Sequence, residues 1–381
     1  MTPAWLLPEY IEDILPPYAR SAEALRRRLL DLFDSYGYDL ITPPLVEYLD
    51  SLLTGAARDL DLKTFKVMDG LSGRMMGVRA DMTPQASRMD AHLLNRQGPT
   101  RLCYAGPVLL TKPAGMLARR EPLQIGAELF GHSGIEADIE IQTLLIAALR
   151  AAGVPDMRLS LSHVGLFQVM VVDSGLAPEL KDRLAEAMRQ KDVPAISKLT
   201  DALDAPWRDA FLVLPELYGG HDALQRAMQV LPDVTEIQKA LDDLMRLLEA
   251  GEGMKINIDL SDVRGDSYHN GVVMAAYAGG QARAVALGGR YDGAGAVFGR
   301  TRAATGFSLD LRQILDCLAE PAERGGILAP YSNDKVLQEK IAALRAAGER
   351  VVVDLPGHAG HQQESNCDRH LVMDGSNWVV Q

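Results

Sequence analysis

The chain has 381 residues, of which 47% are hydrophobic, and a formal net charge of -12 at pH 7. This length and composition predict two or three domains with a substantial buried core. The acidic balance argues against broad binding to nucleic acid, because such binding relies on Lys and Arg to neutralise phosphates. The three cysteines form no CxxC pair, so the sequence predicts neither a disulfide framework nor a metal site.

The N-terminal stretch, "MTPAWLLPEYIEDILPP", carries acidic residues where a secretory signal needs positive charge. No apolar run in the chain approaches the roughly 18 residues of a membrane span. We therefore expect a cytoplasmic protein that does not associate with membranes.

A helix with one buried face is predicted after Pro16-Pro17, because Leu25, Leu29 and Phe33 recur at helical spacing. "LITPPLVEYL" follows as an extended segment, and its two prolines suit a sheet edge or an interface strand. "GRMMGV" then predicts another strand. The next residues, "RADMTPQ", predict a turn followed by a helix for which Thr83 is the N-cap.

The stretch "CYAGPVLLTKPAGMLARREPLQIGAELFG" predicts two strands joined by a loop of the kind that holds an anion. Gln124 and Glu128 alternate with Gly126 along the second strand, so the three residues face the same side of a sheet. A ligand contact and a buried salt bridge explain Glu128 almost equally well. Arg119 and Arg120 on the loop suit a solvated charge cluster as well as contact with an anion or a partner.

The remaining segments alternate between helical and extended patterns. "EADIEIQTLLIAALRAAG" predicts a helix that packs on a sheet, and "MRLSLSHVGLFQVMV" predicts a strand that leads into a helix. Residues 175–250 predict short helices only, whereas "KINIDLS", "GVVMAAYA", "ARAVALGGRYDG" and "ATGFSLDLRQILDCL" return to strands. The C-terminal stretch predicts a strand, a helix, a strand and a hairpin around Asp374-Gly375.

Six segments, in this order, resemble the class II aminoacyl-tRNA synthetase core and specifically the histidyl-tRNA synthetase pattern over most of residues 10–317. "DILPPYARSAEALRRRLLDLFDSYGYDLITPPLVE" is similar to motif 1, "VRADMT" to "LRPEGT", and "GPV...REPLQIGAELFG" to motif 2. "VRGDSYHNG" and "GGRYDG" are similar to two histidine-specific segments, and "TGFSLDLRQIL" to motif 3. The resemblance implies an α+β fold in which an antiparallel sheet of about six strands, flanked by helices, binds its ligand on the open face.

The resemblance also implies a division of the chain. Residues 1–174 and 251–320 would form the synthetase-like core, residues 175–250 a helical insertion, and residues 326–381 a small, truncated α/β module. The insertion contains 9 Lys and Arg against 14 Asp and Glu, which is the wrong balance for gripping a tRNA acceptor stem. We expect no tRNA-binding role for it.

The departures from the synthetase pattern concern the arginine side chains that bind the nucleotide. Leu109 and Leu110 stand where motif 2 carries the Arg that holds the carboxylate and the α-phosphate. Gln313 stands where motif 3 carries the Arg that grips the γ-phosphate, and Arg312 points about 100° away from it on a helix. Because a charge-assisted Arg-phosphate contact contributes about 2 kcal/mol, activation of an amino acid by ATP is not expected.

The residues that match the family's histidine contacts are largely retained, although "DSYH" departs from the usual "LDYY". The resemblance therefore implies a histidine-binding site formed by Asp81, Thr83, Gln124, Glu128, Arg264, Tyr268 and Tyr291. A carboxylate can hold the α-ammonium, and polar groups can bind the imidazole. Taken singly, Asp81 and Thr83 also suit a turn and a helix cap, and Arg264 suits a surface pair with Asp262 or Asp266.

A synthetase core that lacks its nucleotide grips but keeps a histidine site resembles the regulatory subunits of ATP phosphoribosyltransferase. That resemblance implies a noncatalytic subunit without a cofactor, which assembles with a short catalytic subunit, as a hetero-octamer of four plus four. It implies a homodimer through the motif 1 region and feedback inhibition by histidine. The alternative is an active histidyl-tRNA synthetase or another class II paralogue. His358 and His361 lack a third ligand and are expected to be surface histidines.

Overall fold

The computed structural model describes residues 5–53, 58–113, 115, 118–251, 253–266, 268–358 and 362–381. The chain divides into two compact units. The larger comprises Met1–Asp13 with Ala22–Ala319, and the smaller comprises Ile14–Ser21 with Glu320–Gln381.

Helices and strands alternate along both units, which agrees with the predicted α+β class. The helices are α1 (Tyr18–Ser35), α2 (Leu49–Leu53), α3 (Arg58–Lys63), α4 (Thr83–Arg88), α5 (Ile135–Ala152), α6 (Val164–Asp173), α7 (Lys181–Arg189), α8 (Val193–Leu199), α9 (Ala205–Val213), α10 (His221–Val230), α11 (Thr235–Ala250), α12 (Leu311–Asp316) and α13 (Lys335–Ala346). The strands are β1 (Asp39–Leu40), β2 (Val46–Tyr48), β3 (Phe65–Met68), β4 (Met75–Val78), β5 (Thr100–Pro107), β6 (Leu123–Phe130), β7 (Arg158–His163), β8 (Tyr218–Gly219), β9 (Lys255–Asp259), β10 (Val272–Tyr277), β11 (Ala286–Arg290), β12 (Ala304–Asp310), β13 (Ile327–Pro330), β14 (Val351–Asp354), β15 (Arg369–Asp374) and β16 (Asn377–Val380).

The larger unit is built on a nine-stranded sheet in the order β1-β5-β6-β12-β11-β10-β7-β9-β8. Six neighbouring strands of this order pair antiparallel, as predicted: β5, β6, β12, β11, β10 and β7. The sheet is longer than the predicted six strands because β1 pairs parallel with β5, and β9 pairs parallel with β7. These short additions extend the sheet at both edges.

Helices cover one face of this sheet. On β6, Ile125, Ala127 and Leu129 point into the main hydrophobic core, which they share with buried side chains of α5 such as Ile141 and Leu144. Since successive strand residues point to opposite faces, the alternate side chains of β6 face away from α5. The buried stripe of α1, predicted from the leucine spacing, packs into the same core.

A separate three-stranded sheet, in the order β2-β4-β3, follows the proline-containing segment. Several apolar side chains on one of its faces are exposed, including Val46 (39% exposed), Tyr48 (37%) and Val67 (40%). A sheet that leaves such side chains in contact with solvent has an apolar face available to another protein surface.

Residues 175–250 were predicted to contain helices alone, and that prediction is wrong at one point. The helices α7 to α11 lie in this range, but Tyr218–Gly219 forms β8, which pairs antiparallel with β9 of the large sheet. A two-residue strand carries no periodic pattern, so the sequence offered no signal for it.

The smaller unit contains the strand, helix and strand that the C-terminal sequence predicts. Its sheet has the order β14-β13-β15-β16, in which β15 and β16 form the predicted hairpin. Gly375 lies in the turn with φ of +60°, a conformation that favours glycine. Ile327, Leu337, Ile341 and Leu371 form its small core.

Candidate functional site

Glycines on the open face of the large sheet make room for the candidate site. Gly306 on β12 lies opposite Glu128 on β6. A Cβ atom at Gly306 would lie 1.6 Å from a carboxylate oxygen of Glu128, which no side chain can tolerate. Gly289 on β11 pairs with Gly306, and a Cβ atom at Gly289 would lie 3.0 Å from ring atoms of His269. The sheet thus forms a flat floor on which these side chains lie.

Glu128 is almost fully enclosed, with 1% of its surface exposed. Its carboxylate accepts hydrogen bonds from the hydroxyl groups of Tyr104, at 2.7 Å, and of Tyr291. Loss of hydration raises the pKa of Glu128 to about 8, and this effect outweighs the two tyrosine hydrogen bonds, which lower it. The group therefore carries a proton at neutral pH.

Asp81 lies at the turn before α4, and one of its oxygens is a shared acceptor. It accepts hydrogen bonds from the Thr83 amide at 3.0 Å, the Thr83 hydroxyl at 3.1 Å and the Gln124 side-chain amide at 2.8 Å. Gln124 also accepts a hydrogen bond from the Met82 amide at 3.0 Å. All these contacts involve Oδ1, and the second carboxylate oxygen accepts no hydrogen bond from the residues that the structure describes.

Thr83 does not cap α4, contrary to the prediction. The helix begins at Thr83, and its N-cap residue, Met82, makes no side-chain capping bond. The Thr83 hydroxyl instead lies 3.0 Å from the Tyr104 hydroxyl. It therefore connects the Asp81 carboxylate to Tyr104 and, through Tyr104, to Glu128.

Tyr268 stacks on Tyr291, with ring centroids 5.2 Å apart and an interplanar angle of 19°. The Tyr268 hydroxyl is buried and has no hydrogen-bond partner in the part of the chain that the structure describes. A buried hydroxyl without a partner is costly unless a ligand or water satisfies it. Among the predicted site residues, this hydroxyl points most directly to a missing polar contact.

His269, which the sequence analysis did not select, lies edge-on to Tyr268 with ring centroids 5.2 Å apart. Its Nδ1 donates a hydrogen bond to the Arg290 carbonyl at 3.2 Å, so Nε2 carries no proton in the neutral ring. Burial lowers the pKa of His269 to about 4, which keeps the ring neutral. The departure of "DSYH" from "LDYY" was the only sequence signal for this residue.

Arg264 lies outside this cluster. Its guanidinium donates to the Asp262 carboxylate at 2.8 Å and to the Tyr277 hydroxyl at 3.0 Å. It lines a separate cavity of about 430 Å³ with Arg189 and Lys191. Six of the seven predicted histidine contacts are thus brought together, and the seventh is engaged elsewhere.

A cavity of about 710 Å³ opens beside Asp81 and Gln124, which both line it. Its other lining side chains are mainly apolar: Leu60, Leu62, Val108, Leu110, Pro113, Pro122, Val285, Leu287 and Leu309. Lys63, Lys112 and Arg283 also contribute to it. We refer to this space as the main cavity.

Three residues stand at the positions of the nucleotide-binding arginines, and each donates a hydrogen bond to a backbone carbonyl of this chain. Leu110 lines the main cavity, and its amide donates to the Arg120 carbonyl at 2.7 Å. The Leu109 amide donates to the Arg79 carbonyl at 3.0 Å. Gln313 also lines the main cavity, and its side-chain amide donates to the Ala284 carbonyl at 3.0 Å.

Arg119 and Arg120 both contact the N-terminal segment of this chain. Arg119 binds the Glu12 carboxylate and also donates to Asp316 at 2.6 Å. The Arg120 amide donates to the Tyr10 carbonyl at 2.9 Å. Intramolecular contacts therefore take up the polar groups that the sequence left open to an anion or a partner.

No group of three or more His, Cys, Asp or Glu side chains suited to a metal ion occurs among the residues that the structure describes. Of the two C-terminal histidines considered above, His361 lies outside the described residues. None of the described helices is both long and apolar enough to cross a membrane.

Of the residues in this cluster, Asp81 and Gln124 line the main cavity, whereas Glu128 and Tyr291 are buried. Asp81 supplies negative charge next to the main cavity, and the Tyr291 hydroxyl donates to Glu128. Leu110 in this wall cannot neutralise the developing charge of a phosphoryl or adenylyl transfer, and the described cations that line the cavity are Lys63, Lys112 and Arg283. The negative charge of Asp81 suits a ligand that carries an ammonium group.

The fold and the site define a protein of the histidyl-tRNA synthetase-like class. The family model described as histidyl-tRNA synthetase matches residues 10–314. A crystal structure from Bacillus halodurans C, titled as an ATP phosphoribosyltransferase regulatory subunit/histidyl-tRNA synthetase, gives a TM-score of 0.86 at 26% identity. The match covers 96% of this chain and 97% of that one.

The sequence relatives and the C-terminal segment narrow this class. A second family model, described as the ATP phosphoribosyltransferase subunit HisZ C-terminal domain, matches residues 324–381. The ATP phosphoribosyltransferase regulatory subunit of Ralstonia nicotianae is 55% identical over 99% of this chain and 98% of its own length. The ATP phosphoribosyltransferase regulatory subunit of Cupriavidus necator is 53% identical over 100% of this chain and 99% of its own length. The chain belongs to the ATP phosphoribosyltransferase regulatory subunit family, as its motifs predicted.

Proposed function

We propose that this chain is the noncatalytic subunit of an ATP phosphoribosyltransferase. It binds a short-form catalytic subunit, is required for the first step of histidine biosynthesis, and takes part in feedback inhibition by histidine. The observation that carries the proposal is the pairing of Asp81 and Gln124 with a main cavity whose wall contains Leu110. The site keeps the Asp81 carboxylate, which can bind an ammonium group, whereas Leu110 replaces the arginine that adenylation requires.

Histidine is the proposed ligand of the cluster. Its α-ammonium binds the free oxygen of Asp81, while Thr83 and Gln124 hold that carboxylate in place. Its imidazole binds among Glu128, Tyr291 and the unpartnered hydroxyl of Tyr268. A site built to hydrogen-bond a polar ring rejects ligands that lack one, because its buried polar groups would stay unpaired.

Arg264 was predicted with these contacts, but its bonds to Asp262 and Tyr277 argue for a supporting position. A role in binding the ligand carboxylate would require it to leave both partners.

Isothermal titration calorimetry with histidine tests the ligand. We expect Asp81→Asn to weaken binding at least tenfold, because a hydrogen bond to a charged group contributes about 1.5–3 kcal/mol. Asp156→Asn is the control, since Asp156 is exposed and its ion pair with Lys255 is at 3.5 Å on the surface. Equal affinities for the Asp81→Asn variant and the wild type would exclude this site.

The partner proposal has its own test. Mixing the purified chain with a short-form ATP phosphoribosyltransferase catalytic subunit should give a complex by size-exclusion chromatography with light scattering. The complex should also show a changed catalytic rate and new sensitivity to histidine. We propose four copies of each subunit, so the mass would correspond to a hetero-octamer; two separate peaks at micromolar concentrations would contradict the partnership.

A homodimer through the motif 1 region is the proposed building block. The exposed Val46, Tyr48 and Val67 on one face of the three-stranded sheet support it, because an apolar face of this kind suits burial against a second copy. Val67→Lys should shift the isolated chain from dimer to monomer in sedimentation equilibrium. Lys198→Ala, a change at a surface residue of α8, should leave the dimer intact.

We further propose the domain division given above, with residues 175–250 as an insertion into the core formed by 1–174 and 251–320. The five helices α7 to α11 support it. The complex would function in the cytosol, where the three free cysteines stay reduced.

A further inference from the structure

Residues 9–12, which we name the strap, are tied by charged and polar contacts to two elements beside the main cavity. The Glu12 carboxylate accepts a hydrogen bond from Arg119, in the segment that precedes β6. It also accepts one from Arg312, in the first turn of α12, at 2.7 Å. Arg119 donates in turn to Asp316 at the end of α12. One exposed carboxylate therefore joins the segment before β6 to α12.

A second set of contacts ties the strap to the wall of the main cavity. The Arg120 amide donates to the Tyr10 carbonyl at 2.9 Å, and its guanidinium donates to the Glu9 carbonyl at 3.4 Å. The same guanidinium donates to the Leu110 carbonyl at 3.0 Å. Because Leu110 lines the main cavity, Arg120 connects the strap directly to that wall.

Little apolar burial holds the strap in place. Tyr10 is 52% exposed, and the preceding Trp5 and Leu6 are 80% and 58% exposed. Arg312, in contrast, is buried, and the charge of Arg119 adds to burial in lowering its pKa. Without Glu12, two neighbouring guanidinium groups would lose their shared counterion. The strap is thus held by the Glu12 ion pairs and by the Arg120 hydrogen bonds to the Tyr10 and Glu9 carbonyls, and removing the Glu12 charge should loosen it.

The contacts of Arg119 lie next to the main cavity. A smaller cleft of about 90 Å³ is lined by Arg119 and Asp316 together with Leu110 and Gln313. Leu110 and Gln313 also line the main cavity. Movement of Arg119 away from α12 would therefore widen the cleft and open the main cavity on that side.

We propose that the strap is a charge-operated clasp that holds residues 118–122 against α12 and controls the exchange of ligand with the main cavity. With Glu12 in place, residues 118–122 are held next to α12. Release of Glu12 leaves Arg119 held to α12 by Asp316 alone, removes the ion-pair partner of Arg312, loosens the Arg120 contact with Leu110, and lets ligand enter and leave faster. Because ion pairs at the surface weaken as salt screens them, added salt should favour the open form.

Hydrogen-deuterium exchange of the full chain tests the clasp without any ligand. In Glu12→Gln, we expect amides in residues 108–122, including those of Leu110 and Arg120, to exchange at least about fivefold faster than in wild type. Glu9→Gln is the matched control, because Glu9 contributes its carbonyl and not its side chain to the strap contacts. Wild type at 0.5 M NaCl should move toward the Glu12→Gln pattern. Unchanged protection in Glu12→Gln would overturn the clasp.

The ligand arm of the test rests on the proposed binding of histidine. Stopped-flow binding should show association and dissociation rates that both rise in Glu12→Gln, with a dissociation constant within about twofold of wild type. Faster amide exchange with unchanged ligand rates would overturn the control of access. If histidine fails to bind wild type, the proposed function fails, and the exchange measurement still decides the clasp. If Glu12→Gln unfolds, Glu12→Asp, which keeps the charge on a shorter side chain, should give intermediate exchange; wild-type exchange in it would contradict the proposal.

Discussion

The two carboxylates of the candidate site, Asp81 and Glu128, have different surroundings and hence different roles. Glu128 is enclosed and accepts hydrogen bonds from two tyrosine hydroxyl groups. Its protonation state therefore depends on these neighbours and on any ligand ring placed next to it. Asp81 lines the main cavity and has one oxygen free of hydrogen bonds from the described residues. A cationic ligand therefore meets Asp81 first.

The raised pKa of Glu128 predicts a specific dependence of stability on pH. Its folded pKa of about 8 lies above the unfolded value near 4.3, so the folded protein binds the extra proton between these limits. This contribution to stability is fully present below the unfolded pKa and is lost as pH rises through about 8. In Glu128→Gln the loss should be absent.

Urea unfolding of both proteins at several pH values measures this effect. The free energy of unfolding of wild type, relative to Glu128→Gln, should fall by on the order of 4 kcal/mol between pH 5 and pH 9. Other titrating groups are common to both proteins and cancel in the difference. Parallel stability profiles would contradict a buried, protonated Glu128.

At the scale of elements, the alternation on β6 and the apolar stripe of α5 determine where the site lies. The residues of β6 that face α5 are buried in the core, which leaves Gln124 and Glu128 on the open face. Both patterns were predictable from residue spacing. The cap of α4 was not, because the Thr83 hydroxyl binds Asp81 and Tyr104, which only the folded chain brings close.

A substitution in α5 tests the support of the sheet by its helices. Leu144→Ala should lower the free energy of unfolding by about 3 kcal/mol, since Leu144 is fully buried and its truncation leaves a cavity. Thr143→Ala on the same helix is the control, and should change stability by less than about 1 kcal/mol because Thr143 is exposed. Chemical denaturation measures both; similar losses in the two variants would contradict the packing described.

For the whole molecule, a synthetase-like fold is combined with a site in which Leu109, Leu110 and Gln313 stand at the positions of the nucleotide-binding arginines. Six ordered motifs were sufficient to predict the family, because each combines residue types with a fixed spacing. The sheet was longer than predicted, since two-residue strands such as β1 and β8 form only through pairing with β5 and β9.

The loss of the nucleotide-binding arginines predicts that the intact protein does not activate histidine with ATP. Exchange of labelled pyrophosphate into ATP should show no dependence on histidine, because Leu110 and Gln313 cannot neutralise phosphate charge. An active histidyl-tRNA synthetase in the same assay is the positive control. Histidine-dependent exchange would restore the alternative of an active synthetase.

The sequence by itself determined the family and most of the helices and strands, and it selected six residues that the fold brings together, because these depend on residue type, spacing and order along the chain. Tertiary structure decided which predicted residues meet. It placed Arg264 against Tyr277 and His269 against the Arg290 carbonyl, and it bound Arg119 to Glu12. Such contacts join residues that are far apart in sequence or that turn to another face, and local spacing cannot specify them.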